Sequence, residues 1–114
     1  IKTIKFSEDQ LEVYLDELVQ LEKEVSGELG DVYSNDVWGN TAFRCSVRKK
    51  WQYSHITLDD VKNKVIGFII ASERIVDEAH IHRLAVAKEY RHQLVGQNLM
   101  NIFENEAKKI SVSV

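Results

Sequence analysis

The stretch L-A-V-A-K-E-Y-R-H-Q-L-V-G-Q, residues 84–97, contains the strongest indication of the fold of this chain. An apolar strand pattern gives way to polar residues 87–93, and a helical pattern of apolar residues begins at Val95. The first turn of a helix has N–H groups without intrahelical partners, and the aligned peptide dipoles add partial positive charge. A loop that opens into a helix in this way predicts an anion site suited to a pyrophosphate, with the fixed charge of Arg91 beside it.

Outside this stretch, strand and helix patterns alternate along the chain. Apolar residues at helical spacing from Leu11 to Val25 predict a long helix that ends at Gly27. The apolar run 65–72 predicts a strand covered on both faces. The other predicted elements are strands at 1–6, 52–58 and 79–86, a loop or weak helix at 30–40, a second weak helix near Ala42, a polar turn at 59–64 and a helix from Val95 to Ile110. This order predicts an α+β domain, with helices packed on a sheet.

The sequence Arg91-His92-Gln93-Leu94-Val95-Gly96, after Leu84-Ala85-Val86, resembles the acetyl-CoA signature R/Q-x-x-G-x-G/A of the GNAT superfamily of N-acyltransferases. The order of elements is similar over residues 1–114, and the resemblance is specific over 64–104. It implies one GNAT domain at 1–114, with a mixed central sheet flanked by helices and acetyl-CoA as co-substrate. Leu94 departs from the signature because it stands where the first glycine is expected, and a core-facing side chain would make it tolerable.

The resemblance also implies which residues bind the cofactor. The backbone at the end of the strand binds the pantetheine arm in this family, which corresponds here to Leu84, Ala85 and Val86. The loop and the first helical turn bind the pyrophosphate through their amides. The corresponding residues here are Arg91, His92, Gln93, Leu94, Val95, Gly96 and Gln97.

Two histidines are the best candidates for a catalytic base. Acetyl transfer to an amine requires a deprotonated nitrogen, and histidine titrates close to neutral pH. His80 and His82 lie two residues apart in a predicted strand and should point to the same face. We predict that at least one of them is the base; the alternative is that both are hydrogen-bonded structural residues. Glu73 and Glu78 are the second candidates.

The general acid and the acceptor site are less well indicated. Many GNAT enzymes use a tyrosine in the pattern N-x-x-A-x-x-x-Y-x-x-x-G-F, beyond the fifth strand, and no such pattern occurs here. Residues 110–114 look like the start of that strand, so we expect the C-terminal strands and helix of the family to be missing. Trp38 and Phe43 either shape the acceptor site or belong to the core.

Composition argues against several other classes of protein. The formal net charge of −3 gives no basic field for nucleic acid or an anionic membrane, and no apolar run reaches the length of a membrane-spanning helix. Without a signal-like segment we predict a cytoplasmic protein. Cys45 is the single cysteine, and we predict a small buried residue there. The histidines and Cys45 lack the spacing of a metal site, so no metal is predicted.

Three interpretations remain open at this level. The first is an acetyl-CoA-dependent N-acetyltransferase that acts on a primary amine of a small molecule or protein. The second is a non-catalytic acyl-CoA-binding or protein-interaction module with a degenerate GNAT fold. The third is a chain that completes its sheet with a second copy, as a homodimer, through an unpaired edge at residues 111–114.

Overall fold

The computed structural model describes residues 1–29, 38–45, 49–75 and 78–109. Four strands and four helices occur in these ranges, with a 3₁₀ turn at Lys88–Tyr90 before the last helix. In chain order they are β1 (Lys2–Lys5), α1 (Glu8–Leu29), α2 (Asn40–Arg44), α3 (Lys50–Tyr53), β2 (His55–Asp59), β3 (Lys64–Ile75), β4 (Glu78–Val86) and α4 (Val95–Lys109).

The four strands form one antiparallel sheet in the order β1-β2-β3-β4. Helices pack against it, so the predicted α+β class is confirmed. The mixed character of the predicted sheet depends on a fifth strand at residues 110–114, and these lie outside the described part of the chain. The loop predicted for 30–37 lies outside it as well.

Strand β3 is the centre of the fold, as its apolar sequence predicted. Every residue from Val65 to Glu73 is buried, because helices cover both faces of the strand. On one face Phe43 of α2 packs edge-on against Phe68, with ring centroids 5.5 Å apart. On the other face, a Cβ at Gly67 would lie 3.0 Å from a methyl carbon of Val95, so a glycine at this position lets α4 approach the sheet.

The long helix α1 has the predicted apolar stripe but a different end. Leu11, Leu15, Leu18 and Leu21 are buried against the sheet. The helix continues through Gly27 to Leu29, so the stop predicted at Gly27 was wrong. A glycine inside a helix costs only about 1 kcal/mol, which the packing of the stripe can offset.

The segment before β2 also differs from the prediction. Residues 52 and 53 were assigned to a strand, but they belong to α3, which follows Lys49 in a left-handed conformation with φ 61°. Tyr53 is completely buried and packs against Phe103 of α4, with ring centroids 6.0 Å apart. This long-range contact outweighs the local preference of tyrosine for a strand. Cys45 is exposed, which contradicts the predicted burial.

Candidate active site

The predicted anion site consists of the loop at residues 91–94 and the first turn of α4 at residues 95–97, and this segment is called the anion loop below. The carbonyl of Leu94 accepts the first helical hydrogen bond of α4, from the N–H of Asn98, at 2.9 Å. Within the described part of the chain, none of the N–H groups of residues 92–97 donates a hydrogen bond to a backbone or side-chain acceptor. Six consecutive amides are therefore available to a ligand at the positively polarised end of a 15-residue helix.

The backbone of the anion loop has a conformation that gathers N–H groups around a small concavity. His92 and Leu94 have positive φ angles of 67° and 63°, and Leu94 is followed directly by the right-handed helix. Alternation of left- and right-handed residues is the geometry of an anion-binding nest. The left-handed conformation of Leu94 costs about 1–2 kcal/mol in backbone strain. Its side chain is 69% exposed, so the core-facing orientation considered for it does not occur.

A concave pocket of about 270 Å³ opens at the anion loop. Arg91 stands at its side and donates from Nε to the carbonyl of Val86 at 3.2 Å, so the guanidinium is held against the end of β4. The residues around the pocket are Val86, Tyr90, Arg91, His92, Leu94, Val95, Gly96 and Gln97. Apart from Tyr90, all of them were predicted to bind the cofactor.

Tyr90 connects the anion loop to the turn between β2 and β3. Its hydroxyl donates to Asp59, whose carboxylate also accepts the N–H groups of Val61 and Lys62 at 3.0 Å. The hydrogen bond from Tyr90 lowers the pKa of Asp59, and the same bond raises the pKa of Tyr90 to about 12. Tyr90 is thus a neutral hydrogen-bonded link between the anion loop and the β2–β3 turn.

The predicted pantetheine contact, Leu84–Val86, lies on β4, at one edge of the sheet that the described strands form. Strand β3 pairs with one side of β4, and no described strand pairs with the other side. The outward N–H and C=O groups of an unpaired edge are suited to binding an extended chain with amide groups. Leu84 is 40% exposed at this edge.

A β-bulge interrupts β4 at one of the candidate bases. Ile70 pairs with Arg83 and Ala71 pairs with Ile81, so His82 has no residue opposite it in β3. Bulges of this kind redirect side chains and occur often beside active sites. They depend on the pairing of two strands, so the sequence of β4 alone gave no sign of this one.

The two histidines lie together as predicted, with ring centroids 4.9 Å apart. Both are half-buried, and Nε2 of His82 lies 2.5 Å from the hydroxyl of Ser72. Burial lowers the pKa of His82, and the nearby His80, Lys50 and Arg83 lower it further. In the tautomer in which Nε2 donates to Ser72, Nδ1 of the neutral imidazole can accept a proton.

The second candidates for the base are less favourably placed. Glu73 is buried and forms an ion pair of 2.7 Å with Lys49. Proton transfer to this carboxylate would weaken the pair, which argues against a role as base. Glu78 is half-buried at the start of β4.

A second cavity, called the Lys50 cleft below, lies beside His82 on the α2 side of the sheet. Its volume is about 270 Å³, and its lining is mainly apolar. The lining residues are Trp38, Ala42, Cys45, Lys50, Ile70 and His82. Trp38 and Phe43 were considered for the acceptor site or the core. Trp38 lines the cleft, whereas Phe43 is completely buried in the core.

Sequence reasoning missed three residues around the histidines. Ser72 binds His82, and Lys50 lines the cleft. Glu22 of α1 is buried and accepts hydrogen bonds from Nε of Arg83 at 3.2 Å and from the N–H of Trp38 at 2.9 Å. The one available signal for Glu22 was a carboxylate next to Leu21, in the apolar stripe of α1.

The described residues contain neither a candidate metal site nor a candidate membrane span. No group of three or more His, Cys, Asp or Glu side chains in these ranges is arranged to hold a metal ion. None of the helices in the same ranges combines the length and apolar character of a membrane span.

Solved structures of several acetyltransferases are similar to this chain. Ard1 from Thermoplasma volcanium has a TM-score of 0.70 at 19% identity, with 97% of this chain and 66% of that chain covered. The ribosomal-protein-S18-alanine N-acetyltransferase from Escherichia coli has a TM-score of 0.70 at 18% identity, with 98% of this chain and 62% of that chain covered. An aminoglycoside 6'-N-acetyltransferase complexed with coenzyme A has a TM-score of 0.67 at 18% identity, with 96% of this chain and 56% of that chain covered.

At these identities the similarity concerns the fold, and the chain spans less than two thirds of each of these three proteins. No curated protein matches the sequence. The sequence profile of the Acetyltransferase (GNAT) family, however, matches residues 15–113, which include most of α1, the helices α2 to α4 and the strands β2 to β4. With the loop, the sheet and the profile in agreement, the chain belongs to the GNAT family of acetyltransferases.

Proposed function

We propose that the protein transfers an acetyl group from acetyl-CoA to a primary amine. The observation that supports this most strongly is the row of six unpaired amides at residues 92–97. These amides and Arg91 bind the pyrophosphate, and the backbone of Leu84–Val86 binds the pantetheine arm. The thioester then lies along β4, in the direction of His82.

In the reaction, His82 or His80 removes a proton from the ammonium group of the acceptor, directly or through a water molecule. The amine nitrogen attacks the thioester carbonyl and forms a C–N bond. The C–S bond then breaks, coenzyme A leaves as a thiolate, and a proton from the amine nitrogen ends on the thiol or in solvent. The lowered pKa of His82 supports its role because the ring is ready to accept a proton at neutral pH.

A non-catalytic acyl-CoA-binding module is the second candidate, and Leu94 is the observation that favours it. A leucine replaces the glycine of the signature and takes a left-handed conformation that leucine rarely adopts. A degenerate cofactor site of this kind is compatible with binding without turnover.

Two measurements test the proposal. Calorimetric titration should show that acetyl-CoA binds, and that S-acetylpantetheine, which lacks the pyrophosphate, binds much more weakly. Absence of binding at millimolar acetyl-CoA would overturn the proposal. Amine-dependent release of thiol then separates the two candidates, since a module binds acetyl-CoA without releasing coenzyme A when amines are added.

Two other expectations stay predictions. The first is the cytoplasmic location, and the second is a homodimer that completes the sheet. Analytical ultracentrifugation of the protein with and without acetyl-CoA tests the second one.

A further inference from the structure

Lys50 is a buried cation without a carboxylate partner in the described part of the chain. The residue is 1% exposed, and its Nζ donates to the carbonyls of Phe43 and Cys45, the latter at 2.7 Å. An ammonium group has three N–H donors, so these two carbonyls leave one donor without a hydrogen bond, and the nitrogen also lies 4.9 Å from the centre of the Trp51 ring. A buried charge without a counterion is costly. Burial accordingly lowers the pKa of Lys50.

The surroundings of Lys50 combine this charge with apolar walls. Lys50 lines the cleft together with the indole of Trp38 and the side chain of Ile70. A volume of about 270 Å³ lies just below the usual range of ligand sites, so the cleft suits a small molecule. His82, one of the two candidate bases, lines the same cleft.

The charges around the cleft favour an anion over a second cation. The guanidinium of Arg83 lies 5.0 Å from the centre of the Trp38 ring. The nearby carboxylate of Glu22 is already bound to Arg83 and to the N–H of Trp38. None of the described residues that line the cleft is acidic. A polyamine would therefore meet positive charge here, whereas a carboxylate would give Lys50 a counterion.

We infer that the acceptor is a small amino acid with an apolar side chain, whose carboxylate pairs with Lys50 while its amine faces His82. Its side chain packs against Trp38 and Ile70, which account for most of the apolar wall. The transfer of acetyl to this amine depends on the proposed function. Binding of the amino acid to the cleft does not, because the cleft and the anion loop have no residue in common.

A pair of ligands that differ only in the carboxylate tests the inference in the absence of acetyl-CoA. L-Leucine and its decarboxylated analogue isoamylamine are titrated calorimetrically into the protein, with spermidine as the polyamine. We expect L-leucine to bind at least about tenfold more tightly than isoamylamine, and spermidine to bind most weakly. Equal affinities, tighter binding of either amine, or no binding of L-leucine at millimolar concentration would overturn the inference.

Lys50→Met is the matching variant, since methionine keeps the shape of the chain and removes the charge. It should abolish the preference for L-leucine, and it should not weaken the binding of isoamylamine, whose ammonium group no longer meets the charge of Lys50. The control Lys62→Met, at an exposed position in the β2–β3 turn, should keep the preference. If Lys50→Met does not fold, the comparison of ligands in the unmodified protein still gives the answer.

Titration with acetyl-CoA separates a failure of this inference from a failure of the proposed function. If acetyl-CoA binds and L-leucine is not preferred, the acceptor class is wrong and the acetyltransferase proposal stands. If L-leucine is preferred and acetyl-CoA does not bind, the amino-acid site stands and the acetyltransferase proposal is wrong.

Discussion

The pocket at the anion loop and the Lys50 cleft each include one residue of β4, Val86 and His82, but different parts of the chain form the two sites. The loop is one continuous segment that presents backbone N–H groups. The cleft gathers side chains from α2, α3, β3 and β4 and the residues next to them. A site made of backbone should tolerate most changes of side chain, whereas a site made of side chains should lose its function when one of them is replaced.

The largest effect is expected in the side-chain site. Replacement of both histidines, in His80→Ala/His82→Ala, should lower turnover about 100-fold, which is the lower end for loss of general base catalysis. The Kd of acetyl-CoA should stay within about twofold, because neither ring lies at the anion loop. Steady-state kinetics and calorimetry measure the two quantities. Unchanged turnover of the double variant across a pH series would exclude both histidines as the base.

A smaller effect is expected when the one charged side chain of the anion loop is replaced. Arg91→Gln should weaken acetyl-CoA binding about tenfold, since one charge-assisted contact is lost and the amides remain. Lys88→Gln is a matched control that removes an exposed charge three residues earlier, and it should change the Kd by less than about twofold. A loss of all binding in Arg91→Gln would mean that the side chain, and not the backbone, holds the cofactor.

Leu94 tests the backbone of the loop more directly. Leu94→Gly removes the left-handed strain and the Cβ, so acetyl-CoA should bind a few-fold more tightly. Leu94→Ala shortens the side chain but keeps the strain, so its Kd should stay close to that of the unmodified protein. Calorimetry of the unmodified protein and the two variants separates the effect of backbone strain on the Kd from the effect of side-chain size. Weaker binding by both variants would show that the leucine side chain supports the loop.

The smallest effect concerns pH. The lowered pKa of His82 means that the ring becomes protonated below the usual histidine value of 6.5, so kcat should fall as the pH drops below 6.5. Lys50→Met removes a positive charge that lowers the pKa of His82, so the pKa of His82 should rise. Because the base is then protonated at a higher pH, the acidic limb of the kcat profile should move to higher pH. An unmoved limb would mean that Lys50 does not act on His82.

The same comparison explains how much the sequence could predict. The anion loop was found from the sequence because its structure depends on neighbours in the chain, namely a strand, a polar turn and a helix start. Helix α4 and strand β3 were found because their apolar patterns are long and regular. The left-handed conformation of Leu94 could not be foreseen, since the position is one that favours glycine.

The side-chain site depends on contacts between distant parts of the chain. The bulge at His82 arises from the pairing of β4 with β3, and Ser72 meets His82 across that pair. Lys50 lies in a four-residue helix, which is too short to produce a periodic pattern. Its burial depends on α2, so the sequence around it gave no sign that this lysine is buried.

The most direct test of the central claim is a titration of the ¹⁵N-labelled protein with coenzyme A, followed residue by residue through the amide resonances. We predict that the largest shifts fall on residues 92–97, and that adding S-acetylpantetheine, without a pyrophosphate, leaves those six resonances nearly in place. Shifts concentrated elsewhere in the chain, or unchanged amides at 92–97 with coenzyme A bound, would contradict the claim that this backbone binds the cofactor.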